Sequence, residues 1–180
     1  MIILVGASAS GKTEAAKELG RLFSIKKAVT TTTREMRVGE KDGVDYFFVS
    51  KDEFLKRVKE DKFVENASYA GNYYGCGKDQ VANDKVLIVE PNGLHSFLAL
   101  NDPNIVSFFI DVNEDVRAER MKLRGDKDKD IKNRLESDRE RFSKESVGQV
   151  DHVIDANKLS IKEVATLIYD LYKKSLSMRG

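Results

Sequence analysis

A short loop near the start of the chain has the residue types needed to hold phosphate. Gly6, Gly11, Lys12 and Thr13 fit the spacing G-x-x-x-x-G-K-[ST]. Glycines in such a loop let backbone N–H groups turn inward around phosphate oxygens, while the lysine reaches the β- and γ-phosphates and the threonine can ligate Mg²⁺. The loop follows a strand-like run and begins a helical pattern, whose positive end would point at the same anion. The residues predicted to bind a nucleoside triphosphate are Gly6, Ala7, Ser8, Ala9, Ser10, Gly11, Lys12 and Thr13.

Two arginines and two tyrosines further along the chain could hold a second phosphate. Arg34 and Arg37 lie close together in a glycine-containing stretch and can present two guanidinium groups to one dianionic monophosphate. Tyr46 and Tyr74 offer hydroxyl donors that bind phosphate without adding charge. The alternative for both tyrosines is that aromatic side chains at strand spacing simply pack against their neighbours.

Glu65 lies within an otherwise apolar and aromatic strand-like stretch. A carboxylate in such surroundings is costly unless it is paired, and guanine offers two adjacent donors, N1–H and N2–H₂, that one carboxylate can accept together. Adenine has an acceptor at N1, which the carboxylate would repel. The stretch therefore favours guanine as the acceptor base, and the alternative is an exposed glutamate on a strand.

The elements that must position these residues alternate between strand and helix. Short apolar runs, which suit strands buried on both faces, read MIILV, AVTT, KVLIVE, NIVSFFIDV and VDHVID. Helical patterns cover residues 13–22, 113–123, 130–142 and 160–172. This alternation predicts an α/β fold in which a parallel sheet of the P-loop type is flanked by helices.

Two segments interrupt the alternation and suggest smaller parts within a single domain. Residues 33–83 contain aromatic, period-two pieces and turn signals, which predict a small inserted lobe of mixed or antiparallel strands for the acceptor. Residues 117–142 are densely charged and predict a helical lid. The core is then formed by residues 1–32, 84–116 and 143–180.

The composition limits the kinds of partner. The 180 residues include 31 Lys and Arg against 30 Asp and Glu, so no overall field favours nucleic acid or a membrane surface. A single cysteine excludes an internal disulfide, and no long apolar span is present. These features predict a cytoplasmic protein of one compact domain that binds small molecules, as a monomer or a homodimer.

Four blocks of sequence, taken together, resemble the guanylate kinase family over nearly the whole chain. They are the phosphate loop, TTRxxRxGExDGxDYxFV, FxExAxYxGNYYG, and RxxxRG with a later RL, followed by the DHVIDAN strand. The resemblance implies transfer of a phosphoryl group from ATP to GMP, and to dGMP, with Mg²⁺, in purine nucleotide metabolism. It implies that guanine is bound by Thr30, Glu65 and Cys76, that the GMP phosphate is bound by Arg34, Arg37, Tyr46 and Tyr74, and that a lid closing over ATP contains Arg120, Arg124 and Arg134.

The chain departs from the family pattern at two places and leaves the residue at a third open. Relatives usually read close to LDIDxQG where this chain has Ile88 and Glu90, so one of two acids is missing. Glu90 keeps a carboxylate that could face guanine or a magnesium-bound water. Cys76 stands where the family has a serine or threonine that donates to guanine O6, and a thiol is a weaker donor. Asn157, or the neighbouring Ala156, stands where a family asparagine contacts adenine.

The implied chemistry asks the protein to align two anions and to neutralise charge as the phosphoryl group moves. The residues predicted to do so are Lys12, Arg34, Arg124 and Arg134. Two other functions remain open. One is a catalytically idle binding module that recruits a phosphorylated partner, although such relatives tend to lose the loop lysine. The other is a P-loop kinase with a different acceptor, which Ile88 and Cys76 would allow.

Overall fold

The computed structural model describes residues 1–69 and 71–179 and contains two sheets. The larger is a five-stranded sheet with the order β2-β7-β1-β8-β9, in which every neighbouring pair is parallel. Its strands are β1 (Ile2–Val5), β2 (Lys26–Lys27), β7 (Lys85–Ile88), β8 (Val106–Asp111) and β9 (His152–Asp155). The predicted parallel α/β architecture is confirmed.

The helices cover both faces of this sheet because successive residues of a strand point to opposite sides. Their bounds are α1 (Lys12–Phe23), α2 (Lys51–Lys59), α3 (Pro91–Leu98), α4 (Glu114–Leu123), α5 (Asp128–Arg141), α6 (Lys144–Val147) and α7 (Ile161–Arg179). On one face Ile2 and Leu4 pack in a core cluster with α1 and α7. On the other face Ile3 packs with Leu94 and Phe97 of α3. No helix in the described part of the chain is both long and apolar enough to cross a membrane.

The smaller sheet has the order β4-β3-β6-β5 and mixes parallel and antiparallel pairs. Its strands are β3 (Thr31–Thr32), β4 (Phe47–Phe48), β5 (Phe63–Tyr69) and β6 (Asn72–Gly77). Helix α2 covers it, since Phe54 stacks on Phe63 and Tyr73 with ring centroids 4.6 and 5.4 Å away. This sheet confirms the predicted small mixed lobe, and β3 shows that the lobe's sheet already begins at Thr31.

Two details of the predicted elements are wrong. The run AVTT is not a strand of the main sheet: the edge strand there is the exposed pair Lys26–Lys27, while Thr31–Thr32 pairs in the small sheet. Helices α2, α3 and α6 were not predicted. A signal for α2 was present, because Ser50 caps the helix by accepting the N–H of Glu53 at 3.1 Å, in an S-x-x-E pattern.

Candidate active site

The phosphate loop runs from the end of β1 to the start of α1, as the sequence predicts. A Cβ on Gly6 would lie 2.7 Å from the carbonyl oxygen of Ile110, so only glycine lets the loop leave β1 this close to β8. Gly11 has φ +96°, a left-handed conformation that side chains strongly disfavour. Both glycines are therefore required by the path of the backbone.

Lys12 begins α1 and folds back over the loop. Its Nζ donates to the carbonyl oxygens of Gly6 at 2.6 Å and Ala7 at 2.8 Å. Burial lowers the pKa of Lys12 to about 8, against the opposing effect of the Glu90 and Asp138 charges. The amine thus lies over the loop and is held by neutral carbonyl groups, which an anion can replace.

A cavity of about 470 Å³ adjoins the phosphate loop, and three of its lining side chains are basic. It is lined by Ala9, Gly11, Lys12, Thr13, Glu14, Arg120, Arg124, Leu159, Ser160 and Ile161. Arg120 donates to the carbonyl oxygens of Ala9 at 3.2 Å and Ala156 at 3.4 Å, which holds its guanidinium group beside the loop. The side chain of Asn157 accepts from the backbone N–H of Asn113 at 2.8 Å and donates to Asp155 at 2.7 Å.

Two predicted catalytic arginines, Arg124 and Arg134, both pair with Asp126, and Arg124 also lines the cavity beside the phosphate loop. Both approach the same Asp126 oxygen, at 2.6 and 3.5 Å, and both side chains are about half exposed. Exposed ion pairs of this kind are worth little in free energy. Both arginines can leave Asp126 for a more highly charged phosphate at small cost.

Three of the four residues predicted to hold the acceptor phosphate, Arg34, Tyr46 and Tyr74, lie close together, whereas the side chain of Arg37 is exposed. Arg34 forms two hydrogen bonds with Glu40, at 2.7 and 3.1 Å, and its guanidinium carbon lies 5.5 Å from the ring centroid of Tyr46. The rings of Tyr46 and Tyr74 are 6.3 Å apart. Glu40 also accepts the backbone N–H of Arg37 at 2.8 Å, and the hydrogen bond from Arg34 holds its pKa below the usual range. Glu40 thus fixes the turn that carries both arginines.

Glu65 lies on β5 directly across from Cys76 on β6. Its side chain is half-buried and adjoins α3, with Cγ 4.0 Å from the position of a Cβ on Gly93. Burial raises the pKa of Glu65, and a hydrogen bond from the backbone of Cys76 partly opposes this. Cys76 is fully buried, which raises the pKa of its thiol to about 12, and its Sγ donates to the Gly77 carbonyl oxygen at 3.8 Å, so this weak donor already has an acceptor within the protein.

A larger cavity, of about 1000 Å³, lies along α1 and the β2–β7 edge of the main sheet and reaches Tyr46 of the small lobe. Of the residues predicted to bind GMP, Arg34, Arg37, Glu65 and Tyr74 are not among those that line it. Its lining includes Thr13 at the start of α1, Ile88 at the end of β7, and Thr30 and Tyr46 from the lobe side. Glu90 follows β7 and pairs with Arg141 at 2.8 Å, a contact that the sequence did not suggest. Within the described residues no cluster of three acidic, histidine or cysteine side chains could hold a metal ion.

Sequence reasoning missed three residues that organise the site. The sequence contained a weak signal for Glu40, because an acidic side chain three residues after Arg37 in a turn can accept the backbone N–H of Arg37. Arg117 and Asp138 had none, because they lie in a densely charged segment and are 21 positions apart. Both are nevertheless buried and touch the phosphate loop.

Comparison with known proteins gives one consistent family. The family model described as guanylate kinase matches residues 1–171. The chain is 33% identical to a guanylate kinase of Rickettsia bellii, covering 97% of this chain and 95% of that protein, and 30% identical to one of Desulfitobacterium hafniense, covering 93% and 88%. The crystal structure of guanylate kinase from Anaplasma phagocytophilum matches with a TM-score of 0.66 and 29% identity, over 97% of this chain and 86% of that one.

Proposed function

The chain belongs to the guanylate kinase family, and from this we propose how its residues phosphorylate GMP with ATP as the donor. One observation supports the proposal above the others. One cavity is lined both by Thr13, the last residue of the phosphate loop, and by Thr30 and Tyr46, two residues predicted to bind GMP, so donor and acceptor would approach each other from its two sides. The products are ADP and GDP, and dGMP is proposed as a second acceptor.

On the donor side, residues 6–13 would surround the phosphates of ATP with backbone N–H groups, and Arg120 and Asn157 would lie toward its nucleoside. Lys12 would exchange the carbonyl oxygens of Gly6 and Ala7 for phosphate oxygens and stay with the phosphoryl group as it moves. Thr13 fits Mg²⁺, because its hydroxyl is a hard oxygen ligand at the start of α1 and lines both cavities. When bound, Mg²⁺ would neutralise charge on the donor phosphates.

On the acceptor side, the GMP phosphate would be held by Arg34, Arg37, Tyr46 and Tyr74. Guanine would be held by Thr30, Glu65, Cys76 and Glu90, with the carboxylate of Glu65 accepting N1–H and N2–H₂. Arg34 would bridge the acceptor phosphate and the transferred group. Arg124 and Arg134 would leave Asp126 when the lid closes, which would also exclude water from the phosphoryl group.

These roles divide the single domain into three parts. We propose a core of residues 1–32, 84–116 and 143–180, an acceptor lobe of residues 33–83 and a lid of residues 117–142. The enzyme would act in the cytoplasm, as a monomer or a homodimer.

One assay tests the function against its alternatives. The protein is incubated with ATP and Mg²⁺ and with GMP, dGMP, AMP, CMP, UMP or a ribose phosphate in turn, and ADP formation is followed. We expect turnover with GMP and dGMP at rates far above those with the other acceptors. Comparable rates with another nucleotide would indicate a changed acceptor, and no turnover with any acceptor would indicate an idle binding module.

Replacing Arg37 by Met is expected to raise the KM for GMP about tenfold, which is the effect of losing one charge-assisted hydrogen bond. The side chain of Arg37 is exposed, so the free energy of unfolding should change by less than about 0.5 kcal/mol. Steady-state kinetics with each substrate varied in turn checks this result. Lys41→Met is the matched control, since it removes an exposed positive charge from the same turn; equal KM values for both variants would contradict a phosphate contact at Arg37.

A further inference from the structure

A buried ion pair joins the two lid helices to the phosphate loop. Arg117 of α4 and Asp138 of α5 are 2.8 Å apart, with side chains only 7% and 3% exposed. Asp138 accepts the backbone N–H of Ser8 at 2.8 Å and the Ser8 hydroxyl at 3.2 Å. Arg117 donates to the Ser8 carbonyl oxygen at 3.3 Å. The pair therefore binds every polar group of one residue in the loop.

Stability alone does not explain a pair in this position. Two buried charges lose their hydration, and apolar residues of similar volume often give equal or greater stability. A carboxylate beside an anion-binding loop would also repel phosphate if Arg117 did not neutralise it. The hydrogen bonds to Ser8 instead indicate that the pair holds the backbone conformation of the phosphate loop.

We propose that Arg117 and Asp138 are positioning residues that keep the first half of the phosphate loop in the conformation that binds the triphosphate. Ser8 precedes Ala9, whose φ of 59° is left-handed and unfavourable for a side chain. An outside contact on Ser8 would help to hold that turn.

The need for such a contact is greatest when ATP is bound. The amine of Lys12 now holds the carbonyl groups of Gly6 and Ala7. Once it turns to a phosphate, those two bonds are lost, whereas the contacts on Ser8 do not involve Lys12 and remain. Asp138 also lies one helical turn after Arg134 on α5, so the same contact anchors the helix that carries a lid arginine.

The inference rests on the proposed ATP site but can be tested without catalysis. The double variant Arg117→Leu/Asp138→Ala removes both charges together and leaves no unpaired buried ion. We expect its Kd for Mg·ATP, measured by calorimetry without GMP, to rise about tenfold, as for loss of hydrogen bonds to a charged group. Its Kd for GMP should stay within about twofold. Its Tm is expected to fall, because the Ser8 N–H and the Val112 carbonyl oxygen lose their partners, so the affinities are compared at a temperature where the variant is folded.

The matched control is Glu114→Gln/Arg139→Gln. That ion pair joins the same two helices, with the Arg139 Nε 2.9 Å from Glu114, but it is more exposed and does not contact the loop. The control should leave the Kd for Mg·ATP unchanged. An unchanged Kd for Mg·ATP in the folded Arg117/Asp138 variant would overturn the inference, as would equal rises for ATP and GMP or an equal rise in the control.

Two further results keep the test decisive. If this double variant does not fold, Arg117→Met/Asp138→Val also removes both charges and all the contacts on Ser8 but fills more of the space; it should weaken Mg·ATP binding selectively, and equal ATP binding by this variant would overturn the inference. If the unaltered protein binds Mg·ATP but transfers no phosphate to GMP, the proposed function fails while the ATP affinities still test the positioning role.

Discussion

Replacing Lys12 by Met is expected to lower kcat for GMP phosphorylation by about 10²–10³-fold, the usual effect of removing one preorganised group that stabilises transition-state charge. The Nζ lies over the phosphate loop within 2.8 Å of two carbonyl oxygens, beside the backbone proposed to surround the donor phosphates. Methionine keeps the length of the side chain and removes the charge. A coupled assay of ADP formation with saturating GMP measures the change, and thermal unfolding shows whether the variant is folded.

The same amine predicts a dependence on pH. Burial lowers the pKa of Lys12 to about 8, and only the charged form attracts phosphate. The kcat/KM for ATP, which reports groups of the free enzyme, should therefore fall as the pH rises through about 8. Lys12→Arg should keep its charge and lose this inflection. An exposed lysine would lose its charge only near pH 10. If kcat/KM for ATP of the unaltered protein stayed constant up to that pH, burial would not have lowered the pKa of Lys12.

Local patterns in the sequence predicted the parts of the fold that local physics determines. The run MIILV forms β1 because every residue is apolar and both sheet faces are covered, and the pattern over 113–123 corresponds to α4. The run AVTT failed because the chain passes there from one sheet to the other. The apolar residues of this run indicate that it is buried, but they do not indicate which strand pairs with it. That pairing depends on residues far along the chain.

The candidate site also contains features that local sequence patterns predict and contacts that only the fold creates. The backbone of the phosphate loop follows from its glycines, and the Arg34–Tyr46–Tyr74 group could be predicted from residue types. The partners of these residues could not, because Glu40, Arg141 and Asp138 are ordinary members of charged stretches until the fold brings them to the site. Glu90 illustrates the consequence: its carboxylate is already paired with Arg141, so any contact with guanine must compete with an arginine.

Among the described residues, no cation shifts the pKa of Glu65, so this carboxylate is the better test of base selection. Glu65→Gln should lower kcat/KM for GMP about 10²-fold, since an amide group would face a guanine N–H and leave a donor unpaired. Cys76→Ser, directly across the strand pair, restores a stronger donor and should keep or raise GMP activity.

Competition between GMP and AMP measures this selectivity directly. In Glu65→Gln the ratio of the two kcat/KM values should fall toward one, because the carboxylate that accepts from guanine and repels adenine N1 is gone. Burial raises the pKa of Glu65, so GMP activity of the unaltered protein should also decline on acidification at a higher pH than an exposed glutamate would require. The variant should lack that decline. A GMP preference that survives Glu65→Gln would show that the base is selected elsewhere in the cleft.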